Sequence, residues 1–267
     1  MPAPRQTGFH LPHTAETLVD VLRHWAESQP DDRVFTFLVD GETEEVTLTF
    51  RELDRQARAI AAMLGSLSLG GQRALLLYAP GLEYVCAFLG CLYAGVVAVP
   101  VCPPDFARLE RTLPRLQVIA SDAQASVALT SAGLLALADP ILAIADELRA
   151  LRWLSTDTVD SGAEGNWNAP PLGGRSLALL QYTSGSTRSA RGVMVSHANL
   201  LDNLELMRWA LHIRTETSAV CWLPPYHDMG LIGNILATVY AGNHLAMMSP
   251  LAFLQRPLRW LQAISRY

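Results

Sequence analysis

Short apolar runs and amphipathic stretches alternate along this chain. A continuous apolar run such as residues 74–78 is typical of a strand buried in a parallel sheet, whereas apolar residues three and four apart indicate a helix. The helical spacing is clearest on the stripe formed by Leu53, Ala57, Ile60 and Leu64. The alternation predicts an α/β fold of mostly parallel sheets with helices on both faces.

Two helix starts can be located from their capping residues. Thr17 and Thr49 each precede an amphipathic stretch and are followed three positions later by an acidic residue, a spacing typical of a capping box. Between these helices, residues 33–39 and 45–49 alternate between apolar and polar positions and predict a hairpin.

Residues 84–101 form a long uncharged stretch that could be mistaken for a membrane span. Two glycines interrupt it, and Pro100 ends it short of a comfortable bilayer crossing. We therefore predict a buried helix over 82–94, a strand over 96–101 and no membrane span.

A polar segment rich in Gly, Pro and Asn, residues 161–175, separates two groups of predicted elements. We interpret it as a linker, so that a first α/β lobe spans 1–174 and a second spans 175–267. In the first lobe a strand is predicted over 126–130 and a helix over about 140–151. In the second lobe the predicted elements are strands at 176–180, 193–195, 218–223 and 244–248, and helices after His197 and at 231–240 and 257–265.

The charged residues argue against nucleic-acid binding. All 20 basic residues are arginine, the formal net charge is −5, and no basic stripe with interleaved aromatic residues is present. The four cysteines have no metal-ligand spacing, and the N-terminus lacks the apolar stretch of a signal peptide. These features predict a cytoplasmic protein with reduced thiols.

Residues 181–192 form a polar turn between two apolar runs, which we expect to be buried strands. Hydroxyl groups, glycine and converging backbone N–H groups are suited to holding phosphate. Arg188 and Arg191 add guanidinium groups, which match phosphate oxygens bidentately. The pattern indicates a phosphate loop, with an ordinary polar loop as the alternative.

A second polar loop, residues 226–230, follows the strand predicted at 218–223. Ligands of open α/β sheets bind at the carboxyl ends of strands, so the two polar loops are expected to line one cleft. His227 stands between an aromatic and an acidic neighbour, and we predict that it faces the ligand. His197 is interpreted as a helix-start residue rather than a catalyst.

Two other phosphate or hydrolase motifs do not fit. A Walker A loop requires a lysine, and this chain contains none. The G-x-S-x-G motif of a hydrolase is also absent from residues 183–187. Adjacent His227 and Asp228 are poor evidence for a catalytic triad, because triad members must meet in space rather than in sequence.

Residues 182–187 and 192–197 closely resemble the phosphate loop of the adenylate-forming, AMP-binding enzymes. That superfamily includes acyl-CoA ligases, luciferase and the adenylation domains of peptide synthetases. The finer resemblance is to fatty acyl-AMP ligases and covers nearly the whole chain. Four further stretches carry it: 78–84, 90–100, 222–233 and 256–261.

The resemblance implies the N-terminal domain of an enzyme that uses ATP and Mg²⁺. A fatty acid would attack the α-phosphate of ATP, giving an acyl-adenylate and pyrophosphate. The acyl group would then pass to an acyl carrier protein, often on a polyketide or peptide synthetase. The implied phosphate-binding residues are Thr183, Ser184, Gly185, Ser186, Thr187, Arg188 and Gly192, with Thr187 also at the metal. The implied catalytic residues are Arg191 and His227, and the implied substrate-binding residues are Tyr226, Asp228, Met229 and Gly230.

Some positions depart from the family pattern. Arg191 stands where many relatives carry lysine, Arg188 replaces the usual glycine, and Ala190 replaces the usual proline. The family's adenine-binding stretch, with its magnesium-binding glutamate, has no counterpart in this chain, and neither does its C-terminal domain with the catalytic lysine. We therefore expect the chain alone to be inactive. The alternatives are part of a fatty acyl-CoA synthetase and a non-catalytic module that binds ATP or acyl groups.

Overall fold

The computed structural model describes residues 11, 14–105, 108–182 and 191–267. The strands are β1 (Arg33–Leu38), β2 (Glu45–Thr49), β3 (Arg73–Leu77), β4 (Val97–Pro100), β5 (Val127–Thr130), β6 (Arg152–Ser155), β7 (Leu177–Tyr182), β8 (Gly192–Ser196), β9 (Ser218–Cys221) and β10 (His244–Met248). The helices are α1 (Leu18–Ser28), α2 (Phe50–Ser66), α3 (Leu82–Ala94), α4 (Leu109–Asp122), α5 (Ala132–Leu135), α6 (Asp139–Ile144), α7 (Asp146–Arg149), α8 (His197–Ala210), α9 (Asp228–Gly230), α10 (Ala237–Ala241), α11 (Pro250–Gln255) and α12 (Leu258–Arg266). A 3₁₀ helix spans Ser161–Asn166, and a π-helix spans Leu231–Leu236.

The strands of the described residues form two mostly parallel sheets. One sheet has the order β6-β5-β3-β4-β7-β8, and the other has the order β2-β1-β10-β9. The antiparallel pairs are β1 with β2 and β7 with β8. The predicted α/β class with mostly parallel sheets is confirmed.

Alternating side chains of the central strands serve two different cores. Ala74 and Leu76 of β3 belong to a core that joins both sheets through helices α1, α2 and α3. Leu75 and Leu77 point to the opposite face and pack with α4, α6 and α7. Each fully buried leucine contributes roughly 1.5–3 kcal/mol of transfer free energy, which explains why this strand is continuously apolar.

Both predicted capping boxes are present. The Thr17 hydroxyl accepts the Asp20 N–H, and the Asp20 carboxylate accepts the Thr17 N–H. The same reciprocal pair joins Thr49 and Glu52. Each box supplies partners for N–H groups that the first helical turn leaves unbonded, and loss of such a cap typically costs about 1 kcal/mol.

The prediction of one helix over 140–151 is wrong. The structure has α6 and α7 there, followed by the strand β6, which we did not predict. Ala145 separates the two helices because its backbone is extended, with φ −126° and ψ 91°. The 3₁₀ helix was also not predicted. It lies in the segment that we interpreted as a linker, and Arg55 of α2 forms an ion pair with its Glu164.

The two sheets are not divided at residue 174. β7 pairs with β4, and β10 pairs with β1, so each sheet combines strands from both sides of the predicted lobe boundary. The boundary between lobes at 174 and 175 stays a prediction, but it does not coincide with the division into sheets.

The expectation that β8 would be buried is wrong. It is the edge strand of its sheet, and its Val193 and Met194 are exposed. The uncharged stretch 84–101 is instead buried, within α3 and β4. In the part of the chain that the structure describes, no helix combines the length and apolar character required to cross a bilayer.

His197 is buried at the start of α8 and has a structural contact. Its Nδ1 accepts the Leu18 N–H at 3.3 Å, which fastens the start of α1 to α8. Burial lowers the pKa of His197 from 6.5 to about 4, and the nearby Asp20 opposes this only in part. The ring is therefore neutral at pH 7 and serves as a hydrogen-bond acceptor.

The lowered pKa of His197 predicts that the protein loses stability in mild acid. The unfolded chain takes up a proton on this ring near pH 6.5, whereas the folded chain does so only near pH 4. Stability is therefore full above pH 6.5 and falls as the pH decreases toward 4. We expect a loss of about 2 kcal/mol between pH 7 and pH 5 from this group, measured by urea unfolding. The variant His197→Gln, whose amide oxygen can accept the same N–H, should lack that share of the pH dependence. An equal pH dependence in this variant would contradict the assignment.

Candidate functional site

One cavity lies where the carboxyl ends of β4 and β7 meet. The two strands are parallel neighbours, with Ala98 opposite Leu179, so the segments that follow them leave the sheet at the same edge. The cavity has a volume of about 610 Å³. Its lining residues are Pro100, Val101, Cys102, Pro103, Arg111, Thr112, Arg115, Leu116, Ile119, Gln181, Tyr182, Tyr226, His227 and Asp228.

Helix α4 gives this cavity a wall with two different parts. Leu116 and Ile119 are buried and supply apolar surface. Arg111 and Arg115, one turn apart, supply guanidinium groups, which bind carboxylate or phosphate oxygens well. The wall can therefore accept a ligand with both an apolar part and an anionic part.

The turn before α9 is shaped by close backbone contacts. The His227 N–H donates to the Pro224 carbonyl at 3.1 Å, and the Leu231 N–H donates to the His227 carbonyl at 2.8 Å. Gly230 is buried against this turn, and a Cβ there would press on the Pro224 carbonyl oxygen and lie 2.9 Å from its carbonyl carbon. Glycine is therefore required for space at this position.

His227 and Asp228 form a pair at the cavity surface. The His227 Nδ1 lies 2.6 Å from the Asp228 Oδ1, and both side chains are more than half exposed. The Met229 N–H donates to the same Asp228 oxygen at 2.7 Å. With Nδ1 donating to the carboxylate, Nε2 is the ring nitrogen available to a ligand. This arrangement suits a histidine that contacts the reacting groups.

Tyr226 and Gln181 connect the turn to β7. The Gln181 Nε2 donates to the Tyr226 carbonyl at 3.3 Å. Burial, and secondly a hydrogen bond with the Cys102 thiol, raise the pKa of Tyr226. Its phenol therefore stays protonated at neutral pH and can donate a hydrogen bond. The Gln181 contact holds the polar loop of residues 226–230 beside β7, the strand that leads into the other polar loop.

Of the predicted substrate-binding residues, the structure brings Tyr226 and Asp228 into the cavity together with His227. Met229 is 60% exposed and Gly230 is buried, and neither residue lines the cavity. Arg191 is exposed at the start of β8. The roles of these residues stay predictions.

Most of the predicted phosphate-binding residues lie outside the described residues. These are Thr183, Ser184, Gly185, Ser186, Thr187 and Arg188. Gly192 is described and packs against the Tyr182 ring. Among the described residues, no group of three or more His, Cys, Asp or Glu side chains could hold a metal ion. The assignment of Thr187 to Mg²⁺ therefore stays a prediction.

Several lining residues were not predicted from the sequence, among them Cys102, Arg111, Thr112 and Arg115. The available signal was weak: two arginines four positions apart on a predicted helix. Their importance depends on β4 lying beside β7, and these strands are separated by β5 and β6 in the sequence.

The sequence pattern of one protein family, described as AMP-binding enzyme, matches residues 22–267. The match includes every residue of the cavity wall. It also includes both polar loops that the sequence analysis connected with ligand binding.

Individual relatives give finer comparisons. The chain is 42% identical over 252 residues to the medium-chain-fatty-acid–[acyl-carrier-protein] ligase JamA of Moorena producens, covering 94% of this chain and 43% of the relative. It is 32% identical over 265 residues to the long-chain-fatty-acid–AMP ligase FadD26 of Mycobacterium marinum, covering 96% of this chain and 45% of the relative. The chain thus spans less than half the length of these relatives.

Solved structures agree in fold. The fatty acyl-adenylate ligase of L. pneumophila, crystallised with acyl adenylate and pyrophosphate, superposes with a TM-score of 0.88 and 40% identity. The match covers 97% of this chain and 44% of that one. The described fold therefore corresponds to the N-terminal part of such a ligase structure.

The turn that carries His227 should be sensitive to a single methyl group at residue 230. Gly230→Ala places a Cβ against the Pro224 backbone, which cannot rotate away as a side chain could. We expect a loss of about 1–3 kcal/mol in the free energy of unfolding, measured with urea. Gly233→Ala is the matched control, because its Cβ would meet its nearest neighbours at 3.8 and 3.9 Å. The control should lose no more than about 0.5 kcal/mol. Equal losses in the two variants would contradict the proposed packing.

Proposed function

Because the chain belongs to the AMP-binding enzymes, we propose that it is the N-terminal part of a fatty acid–AMP ligase. In the proposed reaction a carboxylate oxygen of the fatty acid attacks the α-phosphorus of ATP. The bond from that phosphorus to the bridging oxygen of the β-phosphate breaks, and pyrophosphate leaves with the bonding electrons. The similarity to JamA, FadD26 and the L. pneumophila ligase supports this activity.

The cavity at the ends of β4 and β7 is the observation that carries the proposal. Its apolar surface suits an acyl chain, and Arg111 and Arg115 suit an anionic carboxylate or phosphate. Nε2 of His227 would contact the oxygens at the reacting centre. Donors that are already held in place stabilise developing charge without having to reorganise during the reaction.

The polar segment after β7 would hold the phosphates of ATP. In this proposal residues 183–187 with Arg188 and Gly192 bind the triphosphate. Arg191 contributes a positive charge where many relatives have lysine. Guanidinium keeps that charge but binds oxygens in a planar, bidentate geometry. Mg²⁺ would be held in part by Thr187.

The acceptor of the acyl group distinguishes two candidate functions. JamA is named as a ligase that uses an acyl carrier protein, whereas FadD21 of Mycobacterium tuberculosis, 37% identical over 266 residues, is named as a putative fatty-acid–CoA ligase. We favour a carrier protein, held on a polyketide or peptide synthetase, because the match to JamA is the stronger of the two. Acyl transfer to a holo carrier protein and to CoA, compared in one assay with pre-formed acyl-adenylate, separates the candidates.

We expect no efficient formation of acyl-adenylate by this 267-residue chain alone. It spans 43–45% of its ligase relatives and has no lysine to serve as a catalytic cation. Pyrophosphate release with ATP, Mg²⁺ and fatty acids of increasing length measures this directly. Robust turnover would contradict this expectation and would support the proposed chemistry.

Binding without turnover tests the function itself. We expect the chain to bind a non-hydrolysable acyl-adenylate analogue in calorimetry, and His227→Asn to bind it about tenfold more weakly, the equivalent of one good hydrogen bond. Asparagine is a favoured residue just before a helix, so the start of α9 should tolerate the change. His212→Asn, at an exposed residue outside the cavity, is the matched control and should bind normally. Failure of the unaltered chain to bind the analogue would contradict the proposed function.

A further inference from the structure

Gln181 is a buried amide side chain on the wall of the cavity. It is 7% exposed, and the residues of β7 that precede it, 177–180, are all apolar. Its neighbours Leu180 and Tyr182 pack with α4 on one face of the sheet, so the alternation of side chains along a strand turns Gln181 to the other face. Polar groups in such buried positions normally have hydrogen-bond partners.

Among the described residues, one end of this amide has a partner and the other end has none. Nε2 donates to the Tyr226 carbonyl at 3.3 Å, whereas Oε1 is buried without a hydrogen bond. The contact with Tyr226 also settles which way the amide points, because the opposite orientation would place two acceptors against each other. A buried acceptor without a partner is unfavourable unless a bound molecule supplies the donor.

The surroundings of Gln181 indicate which kind of donor fits. Tyr226 lines the same cavity, and its phenol hydrogen-bonds with the Cys102 thiol, a weak partner that a ligand oxygen can replace. The wall therefore holds a phenol that can donate and an amide oxygen that can accept. A hydroxyl group matches both, because it donates and accepts, whereas an ammonium group only donates and a carboxylate only accepts.

We infer that Gln181 is a specificity-determining residue whose Oε1 accepts a hydrogen bond from a hydroxyl group of the bound ligand. The inference rests on the proposed function, which places an acyl-adenylate in the cavity. Such a ligand offers hydroxyl groups from two sources: the ribose, and the acyl chain when the fatty acid is hydroxylated. Tyr226 directly precedes His227, which is proposed to contact the reacting centre. A hydroxyl on the acyl chain would therefore lie close to the carboxyl group, on C2 or C3.

This contact would make the cavity selective between similar ligands. A ligand with the hydroxyl pairs with Oε1, and an analogue that lacks the hydroxyl leaves this oxygen unpaired. Sites that hydrogen-bond a substrate hydroxyl discriminate strongly against the analogue without it, because their own polar groups are then left without partners. The ratio of the affinities for two such ligands is therefore the quantity that reports on Oε1.

Calorimetry with non-hydrolysable acyl-adenylate analogues measures this ratio on the 267-residue chain. The probes are the sulfamoyl adenosines of decanoic, 2-hydroxydecanoic and 3-hydroxydecanoic acid, together with the 2′-deoxy and 3′-deoxy forms of the decanoyl compound. We expect at least one of these hydroxyl groups to strengthen binding about tenfold, as for one good hydrogen bond. In Gln181→Met, which has a side chain of similar length without the oxygen, the difference should fall below about twofold.

Two further variants separate Oε1 from other effects. Gln181→Glu keeps an oxygen acceptor at the same place and should retain the preference for the hydroxyl. Gln29→Met is the matched control, because the Gln29 Nε2 also donates to a backbone carbonyl, that of Gly242, at 2.7 Å, and Gln29 does not line the cavity. This control should keep the full tenfold difference. A general loss of stability would weaken the binding of all five analogues alike and leave their ratios unchanged.

The possible results distinguish the inference from the proposed function. A preference that Gln181→Met abolishes supports the inference, and the analogue that shows it identifies the acyl chain or the ribose as the source of the hydroxyl. If the analogues bind but no preference depends on Gln181, or if Gln29→Met abolishes it equally, the inference is overturned while the proposed function stands. If the unaltered chain binds none of the analogues, the proposed function is contradicted and the inference with it.

Discussion

The cavity exists because β7 lies parallel to β4. This pairing places the chain segments after both strands at one edge of the sheet, and it brings helix α4 over the gap between them. Strand β7 also carries Gln181, whose side chain holds the Tyr226 carbonyl, and Tyr182, whose hydroxyl reaches Asp122. Without this neighbour relation the arginines of α4 and the turn around His227 would not line one cavity.

Local patterns predicted most elements of the fold, since their causes lie within a few residues. The capping boxes at Thr17 and Thr49 and the apolar run of β3 are of this kind. The errors have tertiary causes or subtle local ones. An extended Ala145 divides a stretch with helical spacing. Strand β8 lies at the edge of its sheet and leaves Val193 and Met194 exposed. The order of strands within the two sheets likewise depends on contacts between distant segments.

The candidate site was predictable in part for the same reason. His227 and its neighbours stood out because a polar loop followed an apolar strand, and the structure places that loop at the cavity. Arg111 and Arg115 did not stand out, because two arginines on a helix are usual on any solvated surface. Their relevance requires knowing which strands are neighbours. Gly230 is an intermediate case. Its place in the second polar loop is evident from the sequence, but the need for space against Pro224 is visible only in three dimensions.

The positions of the four thiols give the protein a built-in chemical label. Cys86, Cys91 and Cys221 are buried, and burial raises the pKa of Cys86 to about 12. Cys102 alone among the four is exposed, and it lies on the cavity wall beside Tyr226. A maleimide dye applied to the folded protein would thus attach at one known place. An environment-sensitive dye at this place would report on changes at the cavity wall, and no new residue would have to be introduced.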